Sequence, residues 1–242
     1  MTEQMRKLRR SWRALLERDG YPGPGPGSLA LVMARAGVGK TAVLTGIGLD
    51  ALLAGHRVLH VSVESNVDHV RDWYDDLLAE LMRVQTGEYH PAQIQLEIER
   101  RRHIHSYLHH SFSLERLEQT VTLLDEQMDF RPQLIIFDRL QDELLHPEIV
   151  GGLQSIARRL GAELWTAARV HREGPPAREG HLPPPIDRIE QQLDLALRLE
   201  PEGSRVRLHV VKDRDKILDR DLHVLLDPTT LLLVSDAAAP TG

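Results

Sequence analysis

The chain contains no cysteine, which excludes disulfides and thiolate metal sites and makes a reducing, cytoplasmic setting the expected one. Aromatic residues are only 4% of the sequence, so the core has to be built from Leu, Val, Ile and Ala. No apolar stretch approaches the ~20 residues of a membrane-spanning helix, and no secretory-type apolar segment stands at the N-terminus. Positive charge is in short supply: 30 Lys and Arg stand against 36 Asp and Glu, a net −6. That balance argues against a surface gripping nucleic acid over its whole extent, though not against a local basic channel. What is present is enough chain, 242 residues, for one large α/β domain with a well-buried sheet.

Apolar periodicity divides the chain. Met1, Met5, Leu8, Trp12 and Leu15 recur at helical spacing, with Arg6, Lys7, Arg9, Arg10, Arg13 and Arg18 around them. Residues 1–20 therefore read as a basic amphipathic helix that docks on its own domain, a neighbour or a partner, or touches a membrane or nucleic acid. Pro22 to Gly27 alternates Pro and Gly and reads as a linker at 21–27. From 28 to 235 strand and helix signals alternate, and then strands follow one another with little helix between. This predicts an α/β fold with a mainly parallel sheet flanked by helices and antiparallel C-terminal strands. Residues 84–104 read as a solvated helix, 106–108 as a short strand, and 236–242 as a disordered tail. The 84–112 stretch, with residues 1–20, is a candidate surface for a protein partner.

The most informative segment is 34–41, ARAGVGKT, between an apolar run (Leu29 to Met33) and a helix-like stretch from Thr41. Strand, glycine-rich turn and helix in that order describe a phosphate-binding loop. Gly37 and Gly39 permit a turn whose backbone N–H groups converge, with Ala34, Arg35, Ala36, Val38 and Ala42 completing the cradle. Lys40 is placed to reach the β- and γ-phosphates, and the Thr41 hydroxyl to hold Mg²⁺. The helix behind adds its positive end.

Two acids follow at strand ends. Asp138 closes the run Gln133 to Phe137 and suits a magnesium anchor beside Thr41, or caps a turn. Glu64 follows Val58 to Val63 and suits the polarisation of an attacking water, or complements the next helix dipole. In a parallel sheet both lie on the rim where ligands of open α/β sheets bind. His103, His105, His109 and His110 form a cluster without a recognisable metal-binding spacing and read as a polar connector.

Taken together, these segments resemble a RecA-like ATPase core, nearest the motor domain of DnaB-type replicative helicases, with KaiC-type ATPases next. Ala34-Arg35 resembles the start of the DnaB-type phosphate loop. Val61-Ser62-Val63-Glu64-Ser65 resembles the strand whose Glu activates water, and Phe137-Asp138-Arg139-Leu140-Gln141 the metal-binding strand. The stretch from Leu160 to Arg172 resembles the γ-phosphate sensor segment, with Arg169 where the family usually has Gln. Val211-Lys212-Asp213-Arg214 resembles a late Lys-x-Arg motif that faces a neighbouring subunit's nucleotide. Read without the resemblance, Lys212 and Arg214 are equally compatible with outward charges on an edge strand.

The resemblance implies a Mg²⁺-dependent ATPase working as a homo-oligomeric ring or filament. Lys40 and Glu64 would be catalytic, Lys212 and Arg214 would act across the interface, and Arg169 would contact nucleotide. Two alternatives are a nucleotide-binding switch with little turnover, suggested by Arg169, and a single-stranded-DNA motor. The loop at 173–186, Pro-rich and poor in cations, weighs against the motor.

Overall fold

A computed structural model describes residues 2–9, 12, 24–107, 111–170 and 177–236. Arg172, His109, His110, the tail beyond Asp236 and much of the expected N-terminal helix and linker lie outside the described residues. The architecture is α/β: a nine-stranded sheet in the order β3-β2-β4-β5-β1-β6-β7-β8-β9. β1 (Leu29–Ala34), β2 (Val58–Ser62), β3 (Arg102–Ser106), β4 (Leu134–Leu140), β5 (Glu163–Arg169) and β6 (Leu195–Glu202) run parallel. β7 (Arg205–Asp213), β8 (Lys216–Leu226) and β9 (Leu233–Ser235) continue the sheet antiparallel, as the run of strands without intervening helices predicts.

Every residue of β1 is buried, as is every residue of β2, because helices cover both faces. On one face lie α2 (Lys40–Leu53), α3 (Val67–Val84) and α4 (Pro91–Glu99); on the other lie α5 (Leu114–Gln127) and α6 (Pro147–Leu160). α2 is apolar around most of its circumference, and Ala42, Val43, Leu44, Ile47, Leu49, Leu52 and Leu53 are all buried. A helix of that kind belongs inside a core, and its position there fixes where its N-terminus emerges.

Of the expected N-terminal helix, α1 (Glu3–Leu8) is described, with Thr2 capping it by accepting from Met5 N–H at 3.3 Å. Met5, Leu8 and Trp12 are buried in the same cluster as α2, and Arg9 pairs with Asp50 at 3.2 Å. The described part of the apolar stripe, Met5, Leu8 and Trp12, is therefore occupied by its own domain. Residues 24–27 are held against the sheet, with Gly27 N–H donating to Ala162 O at 2.8 Å.

Two local expectations need correction. The third strand is 102–106, not 106–108, so His103 and His105 sit on it with rings stacked at a centroid distance of 6.5 Å. Arg102 is buried there over the Tyr74 ring at 5.0 Å, paired with Glu99 and with Asp75 at 3.6 Å. β7 is interior, between β6 and β8, so Lys212 is not an outward charge on an edge. It is 5% exposed, and its ammonium donates to Arg214 O.

Candidate functional site

The loop from Ala34 to Thr41 leaves the carboxyl end of β1 between β5 and β6, where the chain diverges to opposite sides of the sheet. Its conformation requires glycine twice: Gly37 has φ 74° and Gly39 has φ 110°. Gly39 is the N-cap of α2 and has no side chain to cap it, so the first-turn N–H groups of that helix receive no bond from an N-cap side chain. Lys40 folds back over the loop, donating to Ala34 O at 3.0 Å and Arg35 O at 2.8 Å.

A cavity of about 450 Å³ opens here. Gly37, Gly39, Lys40, Thr41, Glu64, Asp138, Arg139 and Arg169 all line it. Ala36, Val38 and Ala42 share that lining, whereas Ala34 and Arg35 serve as the carbonyl partners of Lys40. The sequence-predicted residues are thus brought together, apart from Lys212 and Arg214.

The second strand ends in a polar turn that presents the acids. Ser62 Oγ accepts from Ser65 N–H at 2.9 Å and from Glu64 N–H at 3.4 Å. Asp138 is bonded by the Ser62 side chain and by Val63 N–H, the latter at 3.3 Å. Burial nevertheless pushes its carboxyl up to about 6, aided by the nearby Glu64. Glu64 is held by Arg139 Nη1 at 2.9 Å and Gln141 Nε2 at 3.1 Å.

The cations are equally concentrated. Burial, together with the charges of Arg139 and Arg169, pulls the Lys40 ammonium down to about 8. Arg169 stands beside Ala34 in the parallel register, exposed at the end of β5. Three like charges around uncapped helix N–H groups form a site suited to a polyanion. Thr41 and Asp138 offer an exposed hydroxyl and a half-buried carboxylate, the hard oxygen donors that magnesium takes alongside phosphate.

Sequence reasoning assigned no role to Arg139, Gln141 or the cavity residues His60 and Thr45. The register shift in β4 between Phe137 and Leu140 re-aims Arg139, and a bulge of that kind leaves no periodic signal. His60 is fully buried, bonded to Tyr74 Oη at 3.1 Å, and burial pushes it down to about 3, so it stays neutral.

Lys212 and Arg214 line a separate, larger hollow of about 860 Å³ with Pro24, Ser28 and Asp194. Lys212 pairs with Ala196, which pairs with Leu31, so the motif lies towards the amino end of β1, on the rim opposite the loop. One further ligand-type group among the described residues is Asp221, His223 and Asp236. Arg207 Nη1 lies 2.8 Å from Asp221 Oδ2 and 2.7 Å from Asp236 Oδ2, so a guanidinium takes the place of a cation.

These charge states set a pH window. Lys40 is cationic below about 8 and loses its charge above it; Asp138 is anionic above about 6 and neutral below it. Calorimetric titration with magnesium tripolyphosphate is expected to show strongest binding between those values, weakening by roughly tenfold per pH unit beyond each. A flat profile from pH 5 to 9 would contradict the assignment. The raised Asp138 value means the fold holds that proton more tightly than the unfolded chain does. This group therefore reduces stability as pH rises from its ordinary 3.8 through about 6.

No protein-family model matches this chain and no curated protein matches it, which leaves the side chains gathered around Lys40 to define its chemistry.

Proposed function

We propose that this chain is a magnesium-dependent ATPase of the RecA and DnaB type, acting as a homo-oligomer. The observation that carries this is the convergence of Lys40, Arg139 and Arg169 with Glu64 and Asp138 in one cavity at a glycine-rich helix N-terminus. Thr41 and Asp138 are the residues that would hold magnesium, which would supply neutralisation of the charge that develops during phosphoryl transfer.

The chain's own groups do the rest. Backbone N–H groups of Gly37 to Thr41 cradle the phosphates. Lys40 exchanges its carbonyl partners Ala34 and Arg35 for phosphate oxygens, regaining the charge that burial and its neighbours weaken. Thr41 and Asp138 would keep the metal beside the phosphates that the loop cradles. Glu64 accepts the proton of the attacking water once its carboxylate is released from Arg139 and Gln141. Arg169 faces the terminal phosphate from the end of the neighbouring strand.

Lys212 and Arg214 are on the wrong rim to serve their own subunit's loop, which fits a role at the nucleotide of a neighbour. A trans-acting Arg contributes about 10³–10⁵ in rate in other nucleotide hydrolases. Turnover per subunit is therefore expected to rise with protein concentration. A mixture of Lys40→Ala, with its finger intact, and Arg214→Ala, with its loop intact, is expected to regain activity that neither has alone. The reading fails if the rate per subunit is flat across dilutions at which a sizing column shows dissociation. It fails equally if the mixture stays inactive while both variants assemble.

A second reading, a nucleotide-held switch with slow turnover, is favoured by one observation: the water-polarising acid is already engaged by Arg139 and Gln141.

A further inference from the structure

Four histidines stand close together in the sequence, at 103, 105, 109 and 110, and the spacing of the first two acquires a meaning because β3 runs from Arg102 to Ser106. On a strand, residues i and i+2 share a face. His103 and His105 therefore project together on the side of α5, while Ile104 between them turns to the opposite face and packs against the core of α2, α3 and α4.

The pair is held from several directions. β3 ends the sheet, and bonds to β2 brace it at both ends: Val58 N–H donates to Arg101 O and Tyr107 N–H donates to Ser62 O, each at 2.8 Å. Phe130 packs on the His103 ring at 5.8 Å, the two imidazoles stack at 6.5 Å with their planes 17° apart, and Tyr107 packs on His105 at 4.6 Å. Tyr107 is fixed in turn from α5, its Oη lying 2.9 Å from Thr120 Oγ1. This row of rings gives the imidazoles packing but no hydrogen bond: among the described residues neither has a polar partner. Burial holds both below the ordinary histidine value, with His105 adding to the effect on His103, so at neutral pH each is uncharged and keeps a ring nitrogen with a free lone pair. Both side chains are half-buried, and a hollow of about 420 Å³ opens beside His105. Arg116, on the lining of that hollow, donates to Ser111 O at 2.8 Å.

We infer that His103 and His105 form a chelating pair for a divalent ion of the copper, nickel and zinc class, reached from this hollow, with water completing the coordination. Imidazole nitrogen suits these ions, whereas magnesium takes hard oxygen donors. The pair is therefore distinct from Thr41 and Asp138 and independent of the phosphate-loop reading. Metal–nitrogen bonds of about 2.0–2.1 Å put two nitrogens on one ion roughly 3 Å apart, which closes the ring centroids from 6.5 Å to about 5 Å. Rotation about the side-chain torsions covers that difference without moving the strand.

The test titrates Cu²⁺, Ni²⁺ and Zn²⁺ calorimetrically into the full chain, with magnesium in excess. The titrations are repeated on His103→Gln, on His105→Gln, and on a double variant carrying His109→Gln and His110→Gln. The wild type is expected to bind one Cu²⁺ per chain, more tightly than Ni²⁺ or Zn²⁺. Each single variant is expected to lose roughly 10- to 100-fold in Cu²⁺ affinity, and the double variant to keep the wild-type value. A second readout needs no variant: less than one equivalent of paramagnetic Cu²⁺ is expected to broaden the amide signals of His103, Ile104 and His105 before those of Asp221 and His223. The assignment is overturned if wild type binds none of the three ions, or if both single variants bind Cu²⁺ as tightly as wild type. It is overturned equally if the double variant loses as much as the single ones, or if the broadening begins away from β3.

Discussion

Lys40→Ala is expected to lower kcat/KM for MgATP by roughly 10⁴-fold. About 10² of this comes from lost charge-assisted bonds to bound phosphate and a similar factor from lost transition-state stabilisation. The Lys40 ammonium is half-buried, close to Arg139 and Arg169, and among the described residues it is bonded to the carbonyls of Ala34 and Arg35. Such a cation does little for the fold. Thermal unfolding of the empty variant should therefore match or exceed that of the wild type, while the rise in melting temperature caused by MgATP disappears. A variant that still shows the nucleotide-induced rise would remove Lys40 from the site.

Glu64→Gln is expected to lower kcat by about 10²–10⁴ while MgATP binding stays within a few-fold. Gln is nearly isosteric and still accepts from Arg139, but it does not take a proton from water. Single-turnover hydrolysis set beside equilibrium binding separates the two effects. The bonds from Arg139 at 2.9 Å and Gln141 at 3.1 Å add a second arm to this experiment. If these side chains restrain Glu64, Arg139→Ala raises basal turnover; if Arg139 instead faces the transferred phosphate, the same change lowers it. Unchanged turnover in Glu64→Gln would mean that Glu64 polarises no water, leaving the nucleotide-held switch as the better account.

Much of this was legible in the chain because the signals are local. The loop at 34–41 carries its own backbone instructions in Gly37 and Gly39, and both adopt the positive φ that such a turn requires. Glu64 and Asp138 were placed by a simple rule, an acid at the end of an apolar run, and they meet because parallel strands end on a common rim. The change from alternating strands and helices to successive strands gave the antiparallel extension for the same reason: short connections cannot join parallel neighbours.

Other features had no local signature. Arg102-His103-Ile104-His105 is too polar to look like a strand, and its pairing with β2 is stabilised by partners far along the chain, Asp75 and the Tyr74 ring among them. Lys212 sits on an interior strand because β8 and β9 were added beyond it, a matter of sheet order rather than of the residues around it.

The amino-acid sequence by itself determined the glycine-rich turn after the first strand, the order of strands and helices, and which acids follow apolar runs, since each depends on a few neighbouring residues and on backbone stereochemistry. Only the tertiary structure decided that Arg139 and Gln141 hold Glu64, that Lys212 and Arg214 face away from their own loop, and that Trp73 and Leu231 wall the same hollow as Lys40. Those relations depend on a bulge, on strand order and on a turn packed against a distant helix, so they come into being only when residues remote in the chain are brought into contact.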